Sequence, residues 1–317
     1  MLPLTNKSGQ VPDTQTKLLE QYAQFAQRVR DLSVETICSQ KLYIKRFFAS
    51  GTTAAPAKLF TELNTDCIKR FLFDYTREHG PGSRRWMQFS LRSFFKFAWL
   101  NHYTSCDLSV AIPTVRSVSL KSVPKGIDDH NVRLLLKSID TDSAIGLRDF
   151  AIIQMLTTYG VRGIHIRYLR LNHIDWQNNK IEFQSAKRGK TIIQHLTPEV
   201  GNSLIAYIQN GRPNHVSHPE VFLTAIPPFH PFTQSGSFSS IIARRLRQAG
   251  IALPEGTSRG THPFRHGFAS RLTGKVPLKY IADMLGHRDI ASSFIYSKVD
   301  FNALKETALP WPEEDMQ

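Results

Sequence analysis

The stretch that decides the fold of this chain reads His262-Pro263-Phe264-Arg265-His266, and it is followed by Leu285-Gly286-His287 and then by Tyr296. Residues three positions apart lie on one face of a helix, so a helix over the first motif directs His262 and Arg265 toward a common target. Both side chains can donate hydrogen bonds to phosphate oxygens. The spacing therefore predicts a phosphate-binding site at the start of a helix.

A second helix is predicted directly before Gly286. Its apolar residues recur with the period of a packed helix, at Leu278, Ile281, Ala282 and Leu285. Glycine suits the left-handed conformation that commonly ends a helix, so His287 is expected to emerge at a helix terminus. A further short helical stretch over residues 290–295 is expected to lead to Tyr296. The phenol oxygen of this tyrosine can act as a nucleophile if nearby cations lower its pKa from about 10.

These motifs resemble the C-terminal signature of the tyrosine recombinases, the phage-integrase family. In that family a His-x-x-Arg motif opens a helix, Leu-Gly-His follows it, and the nucleophilic tyrosine lies nine residues after the last histidine. The same nine-residue spacing separates His287 from Tyr296. The resemblance implies that His262, Arg265, His287 and Tyr296 are catalytic.

The resemblance continues upstream, where it implies two further catalytic residues. Thr158-Tyr159-Gly160-Val161-Arg162 is similar to the Tyr-Thr-Gly-Leu-Arg box of the family, which supplies the first catalytic arginine, here Arg162. The segments 181–184 and 191–193 read as two strands around a basic turn. They are similar to the family's β-hairpin with its catalytic lysine, which implies Lys187, with Lys190 as the alternative.

One position departs from the family pattern. The family usually has an acidic residue three positions after the first arginine, and this chain has His165 there. A carboxylate would orient Arg162, so His165 either replaces it through a different hydrogen bond or leaves the arginine less fixed. We expect His165, His266 and Tyr159 to be supporting or core residues.

Metal chemistry is disfavoured by the motifs. His262 and His266 have the spacing of two ligands on a helix, but neither a His-Glu-x-x-His pattern nor a third nearby ligand accompanies them. The cysteines, Cys38, Cys67 and Cys106, form no Cys-x-x-Cys pair and are expected to be core thiols. We expect neither a metal nor a cofactor.

The length and charge of the chain indicate its organisation and its partner. A chain of 317 residues is expected to form two domains. Its formal net charge of +14 points to a polyanion, most simply nucleic acid. The sequence contains neither an apolar run long enough to span a bilayer nor a signal-peptide pattern. We therefore expect a cytoplasmic location and no membrane binding.

The predicted fold is mostly α with a small antiparallel β-sheet. Residues 1–12 read as a flexible tail, 13–112 as a helical DNA-binding domain, 113–126 as a linker, and 127–317 as a catalytic domain with a C-terminal tail. The family resemblance implies a core-binding, SAM-like fold for the first domain and a tyrosine-recombinase catalytic fold for the second. Apolar periodicity predicts helices whose buried faces include Leu18, Tyr22, Phe25 and Val29; Ile37, Ile44, Phe47 and Phe48; and Ile68, Phe71, Leu72 and Tyr75.

A further helix is predicted from Ser83, as its N-cap, to Asn101. Arg85, Arg92 and Lys96 form a basic stripe along it, which alone would read as a solvated face. Beside the downstream signature, a helix that contacts the DNA backbone is the better interpretation. Arg244, on a helix predicted from 237 to 249, is a further candidate DNA contact.

The family resemblance implies a site-specific DNA recombinase, or integrase, of a mobile element, acting in DNA integration or transposition. It would cleave and rejoin strands through a 3′-phosphotyrosyl intermediate without metal or ATP, on double-stranded DNA, as a dimer or tetramer on paired sites. One alternative is a topoisomerase of type IB that nicks and reseals one duplex. Another is a catalytically silent DNA-binding accessory factor. The C-terminal segment could pack on its own subunit or on a neighbour.

Overall fold

The chain divides into two compact units, Met1–Val118 and Ser119–Gln317. The computed structural model describes residues 13–50, 60, 63–114, 125–184, 191–233, 236–258, 260–287, 292–293 and 296. The division falls within the segment 113–126 that the sequence predicts as a linker, most of which lies outside the described residues. The predicted tail, 1–12, lies outside them too.

The first unit is helical. Its α-helices are α1 (Asp13–Arg28), α2 (Val34–Ala49), α3 (Thr65–Glu78) and α4 (Pro81–Leu100), and a 3₁₀ turn follows at Leu108–Ala111. Side-chain caps fix two of the helix starts: Ser33 accepts from the Thr36 amide, and Asn64 accepts from the Asp66 and Cys67 amides.

The core of this unit is rich in aromatic rings. Phe47 of α2 packs edge-on against Phe71 of α3 and Phe95 of α4, with ring centroids 4.9 and 5.7 Å away. The predicted apolar faces are buried, apart from Phe25, which is half-buried, and Val29. Val29 is 68% exposed because α1 ends at Arg28, so the helical period no longer applies to it.

The start of α4 corrects the predicted cap. Gly80 is the N-cap and Pro81 occupies the first turn, where its fixed φ suits the helix and its missing N–H costs no hydrogen bond. Ser83 lies inside the helix, and its hydroxyl is 2.7 Å from that of Tyr75 on α3. The serine therefore joins two helices instead of capping one.

The second unit is mostly helical, with a small antiparallel sheet, as predicted. Its elements in chain order are α5 (Asp129–Lys137), α6 (Ala144–Tyr159), α7 (Gly163–Arg167), β1 (Ile174–Asp175), β2 (Lys180–Phe183), β3 (Ile192–His195), α8 (Pro198–Asn210), α9 (Gly236–Gln248), α10 (His262–Leu272) and α11 (Leu278–Leu285). The strands pair in the order β1-β2-β3, with Ile181 opposite Gln194. The predicted hairpin is β2 and β3. The sequence does not predict β1, because a strand of two residues is too short to show alternating apolar and polar side chains.

Helix α6 runs through the centre of this unit. Ile152, Ile153, Met155 and Leu156 are fully buried, and the helix packs against α8 on one side and α10 on another. A helix buried on several sides is fixed at both ends by its neighbours. Its C-terminal end therefore gives the following residues, up to Arg162, a fixed place beside α10.

Two further findings concern the cysteines and the membrane. Cys38 and Cys106 are exposed, so the expectation of core thiols is wrong for them, whereas Cys67 is half-buried and packs against the core of the first unit. Among the described residues, no helix is long and apolar enough to cross a membrane.

Candidate active site

Helix α10 carries Arg265 into the interior of the second unit. The side chain is only 4% exposed. Its Nη1 donates to the Gly160 carbonyl at 3.0 Å, and its Nη2 donates to the Leu285 carbonyl at 2.8 Å. The planar guanidinium thus joins the end of α6 to the end of α11. His262 lies one turn earlier, exposed at the first residue of α10.

Gly160 brings Arg162 close to α10. Its φ of 59° is left-handed, and a Cβ built there would lie 2.6 Å from Cδ1 of Phe268 on α10. Both the conformation and the close approach require glycine. Two residues later Arg162 precedes α7, and its Nη1 donates to the Gly286 carbonyl at 3.3 Å.

The end of α11 is fixed by Gly286, as the sequence predicts. This residue has a φ of 62°, and its amide donates to Asp283 while the His287 amide donates to Ala282, each at 2.9 Å. These two bonds form a Schellman motif. Ile192 of β3 lies over the glycine, where an added Cβ would clash with its Cδ1. The helix end therefore has one arrangement against the sheet.

Two arginines meet at this helix end. Arg265 and Arg162 donate to the consecutive carbonyls of Leu285 and Gly286, at the partially negative terminus of α11. Burial, and then the neighbouring Arg162, lower the pKa of Arg265 to about 10. That value is still far above neutral pH, so Arg265 keeps its positive charge beside His287.

The histidines near these arginines are neutral at pH 7. Burial, then Arg265 and Arg162, and finally His266 lower the pKa of His287 to about 4. Partial loss of hydration, then Arg265 and Arg162, also lower the pKa of His262. The ring of His287 is half-buried, and its Nδ1 is hydrogen-bonded to the Ser293 hydroxyl. The histidines can therefore contribute hydrogen bonds while the arginines supply the charge.

Tyr296 lies against the same helices. Its ring is 2% exposed and belongs to a small apolar cluster with Phe268 of α10 and Ile281 and Leu285 of α11. Its hydroxyl is 3.1 Å from Nδ1 of His266. Burial raises the pKa of the phenol, whereas Arg265 and Arg162 act in the opposite direction. The expected lowering by cations is present, but burial outweighs it, so the phenol is protonated in this arrangement.

His165 occupies the position where the family usually has an acid. It is 4% exposed on α7, with its ring centroid 6.4 Å from that of Phe183. Burial, then Arg162 and Arg265, lower its pKa to about 4, so the ring is neutral at pH 7. Among the described residues its Nδ1 has no hydrogen-bond partner. A carboxylate here would offset one arginine charge, and a neutral imidazole offsets none.

A cavity of about 260 Å³ opens beside Arg162 and His262. Its wall also carries the hydroxyl-bearing residues Ser239, Ser258 and Thr261. A guanidinium group, an imidazole and hydroxyl groups are donors that suit phosphate oxygens. The cavity thus extends the donor set of the candidate active site toward the start of α10.

The structure brings Arg162, His262, Arg265, His287 and Tyr296 to one place. Some of these residues are far apart in the sequence, and the ends of α6, α10 and α11 bring them together. Lys187 and Lys190 lie outside the described residues, as does most of the stretch 290–295. In the part of the chain that is described, no group of three or more His, Cys, Asp or Glu side chains is arranged to hold a metal ion.

The basic stripe on α4 is partly engaged by its own unit. Arg92 Nη2 donates to the carbonyls of Ile112 and Pro113, both at 2.9 Å. Lys96 is 2.8 Å from a carboxylate oxygen of Asp107. Arg85 is exposed and lines a cavity of about 510 Å³ with the half-exposed Trp86 and Phe89.

Arg244 on α9 belongs to a cluster around a buried carboxylate. Asp149 is fully buried and accepts from Arg148 Nη2 at 2.8 Å, from Arg244 Nη2 at 2.7 Å and from Arg245 Nε at 2.8 Å. The carboxylate joins α6 to α9. The Arg244 side chain is 46% exposed, so DNA contact by its free face stays a prediction.

Sequence reasoning missed the hydrogen bond between His266 and Tyr296. It also missed the backbone carbonyls that hold the arginines, which come from Gly160, Leu285 and Gly286. Carbonyls carry no sequence signal. The position of His266, four residues after His262 on the same helix, was the available signal for the histidine.

The family model described as the phage integrase family matches residues 125–303. The match covers more than half of the chain and includes the whole candidate active site. This chain therefore belongs to the phage integrase family.

Relatives by sequence include a protein of Sinorhizobium fredii named as an integrase/recombinase, y4rA. It is 39% identical over 226 residues, which is 71% of this chain and 54% of that protein. The tyrosine recombinase XerD of Listeria monocytogenes serotype 4b is 28% identical over 298 residues, which is 91% of this chain and 96% of that protein. The chain spans about half the length of the first Sinorhizobium relatives that it matches.

Solved structures of similar fold include the XerH site-specific recombinase in a post-cleavage complex with a palindromic difH substrate. Its TM-score is 0.70 at 17% identity, covering 98% of this chain and 92% of that chain. A lambda integrase dimer bound to a COC′ core site has a TM-score of 0.65 at 15% identity, covering 95% and 99%. At these identities the likeness concerns the fold.

Proposed function

We propose that this protein is a site-specific DNA recombinase that cleaves and rejoins strands through a 3′-phosphotyrosyl intermediate. The observation that carries the proposal is that Arg162 and Arg265 both donate to carbonyls at the end of α11, beside His287. Tyr296 packs against the same helix, and both arginines act on the pKa of its phenol. Membership of the phage integrase family and similarity to proteins named as recombinases support it.

The arginines account for the chemistry. Attack on a phosphodiester places negative charge on its nonbridging oxygens, and preorganised donors stabilise that charge without moving during the reaction. Arg162 and Arg265 are planar forks held in place by backbone carbonyls, and they stay charged at working pH. His262 and His287 would add hydrogen bonds, and the cavity beside Arg162 would admit the phosphate.

The covalent steps balance without a metal or ATP. The Oη of Tyr296 gives its proton to a neighbouring base and forms a bond to phosphorus, and the bond from phosphorus to the 5′ oxygen breaks. The leaving 5′ oxygen takes a proton, for which the family resemblance implies Lys187 as the donor. Attack by another 5′ hydroxyl on the phosphotyrosyl ester reverses these steps and reseals the strand.

Double-stranded DNA is the proposed partner, in agreement with the net charge of +14. Self-association as a dimer or tetramer on paired sites is proposed from the fold it shares with the lambda integrase, which has been solved as a DNA-bound dimer and as a tetramer bound to a Holliday junction. Action on a mobile element, in integration or transposition, is proposed from the similarity to proteins named as integrases.

The test begins with duplexes enriched from a random pool by binding to the protein. Each enriched site is then nicked close to the scissile phosphate, so that the short cleaved fragment diffuses away and a covalent adduct accumulates. We expect an adduct that resists denaturation and forms equally in excess EDTA and without ATP. Loss of the adduct on chelation, restored by magnesium, would contradict the proposal. Exchange of strands between two duplexes separates a recombinase from an enzyme that only nicks and reseals.

A salt titration tests the DNA contact on α4. Arg85→Ala should weaken binding to specific and nonspecific duplexes alike and make the log-log salt slope shallower by about one unit, because one phosphate contact is lost. Neutralising Arg85, Arg92 and Lys96 together should make the log-log salt slope shallower by up to about three units. Since Arg92 and Lys96 are engaged within their own unit, we expect Arg85 to account for most of it. An unchanged slope for the triple variant would make the stripe a solvated face.

A further inference from the structure

The phenol of Tyr296 has a neighbour that the family signature leaves without a role. Nδ1 of His266 lies 3.1 Å from Oη of Tyr296, and the two ring centroids are 5.8 Å apart. We assign the protonated phenol as the donor in this pair, so that Nδ1 accepts and the imidazole carries its proton on Nε2. The nucleophile is thus already bonded to a group that can remove its proton.

We propose that His266 is the catalytic base of the strand-cleavage step, which rests on Tyr296 being the nucleophile as proposed above. As the Oη–H bond breaks, the proton moves to Nδ1 of His266 and the electron pair on Oη forms the bond to phosphorus. The electron pair of the breaking bond to phosphorus stays on the 5′ oxygen, which is protonated by the acid. In resealing, the protonated His266 returns its proton to the departing phenolate.

The surroundings of His266 suit this role. The charged and titratable groups that face it in the described structure are His262 and Arg265 on its own helix, and His287 and Tyr296 from the segments packed against α10. Burial, then His262 and Arg265, lower the pKa of the imidazole, so it is neutral and able to accept a proton at pH 7. The nearby arginine charge stabilises the phenolate that forms.

The other histidines of the site are placed differently. The Nδ1 of His287 is engaged by Ser293. His262 lies at the exposed start of α10, with its ring centroid 6.3 Å from that of His266, and it lines the cavity beside Arg162. Among the described histidines, His266 is the one hydrogen-bonded to the attacking oxygen.

His266→Asn separates proton transfer from positioning. The Asn side-chain oxygen can accept the phenol hydrogen bond near the place of Nδ1, but it cannot take the proton. We expect single-turnover cleavage of the nicked substrate to fall by about 10²- to 10⁴-fold, the usual contribution of a general base. The wild-type rate should rise with pH and level off as His266 becomes neutral, and the variant should lose that inflection. His130→Asn, on the exposed side of α5, is the matched control and should keep the wild-type profile.

Fluorinated tyrosine at position 296 distinguishes a base from a merely structural residue. A phenol of lower pKa ionises without help, so it should restore cleavage in His266→Asn by a larger factor than it changes the wild type. A slow variant that fluorination does not restore would overturn the inference, since His266 would then only position the phenol. A wild-type rate and profile in His266→Asn would overturn it as well.

The substituted tyrosine also gives a test in the unmutated His266 background. If His266 controls the inflection, fluorination leaves the midpoint of the pH profile in place. A midpoint that moves down with the pKa of the phenol would instead assign the inflection to Tyr296 and contradict the inference. In either case the covalent adduct still forms at Tyr296, so failure here is distinct from failure of the proposed function.

Discussion

Tyr296→Phe should abolish covalent attachment to DNA while leaving DNA binding within a few-fold of wild type. The substitution removes only the oxygen that attacks phosphorus. The ring stays in the cluster with Phe268, Ile281 and Leu285, and the one described hydrogen bond that is lost is the one to His266. Trapping on the nicked substrate, followed by denaturing electrophoresis, measures the adduct, and a binding titration measures affinity.

Matched controls come from two exposed tyrosines of the same unit. Tyr280 on α11 is 61% exposed and Tyr168 is 41% exposed. Tyr280→Phe and Tyr168→Phe should both form the adduct at the wild-type level. An adduct formed by Tyr296→Phe, and lost in one of these variants, would place the nucleophile at that other residue.

Arg265→Lys should lower single-turnover cleavage by at least about 10²-fold although the charge is kept. The guanidinium of Arg265 donates to Gly160 and Leu285 at once and still has donors for a phosphate. A single ammonium group cannot reproduce that planar geometry. Loss of either buried carbonyl contact also costs about 1–3 kcal/mol of folding free energy, so thermal unfolding must be measured beside the rate.

The control for this variant is on the same helix. Arg271 of α10 donates to the Asp129 carboxylate at 2.8 Å and to the Thr157 carbonyl at 2.7 Å. Arg271→Lys changes the same chemical group and disturbs a similar pair of bonds, but away from the candidate active site. It should cleave at close to the wild-type rate. Equal losses in both variants would mean that the effect of Arg265→Lys comes from destabilised packing of α10.

Much of the fold follows from local rules. The buried faces of α2 and α3 have the helical period, and Gly286 ends α11 because it alone among neighbouring residues adopts a left-handed φ without strain. The sequence predicts a start of α4 that is too late, because Ser83 is a good N-cap residue, whereas in the folded unit Gly80 is the N-cap and Pro81 begins the helix. The strand β1 is too short to show alternation.

The residues of the candidate site could be proposed from the sequence because the motifs of the family have a fixed order and spacing along the chain. What holds them was not, since the carbonyls of Gly160, Leu285 and Gly286 come from other helix ends and backbone groups leave no trace in composition. The raised pKa of Tyr296 depends on its burial, which is a property of packing. The partners of Arg92 and Lys96 lie in the irregular segment after α4, so their engagement needed the folded unit.

The central claim is that Tyr296 becomes joined to a DNA 3′-phosphate. The most direct measurement is to trap the wild-type adduct in excess EDTA, digest protein and DNA, and identify the modified residue by tandem mass spectrometry. We predict that Tyr296 is the one modified tyrosine and that it carries a 3′-linked nucleotide. The modification should be absent when the protein is incubated without DNA. A nucleotide attached to another residue, or DNA cleaved with no covalent protein linkage, would contradict the account.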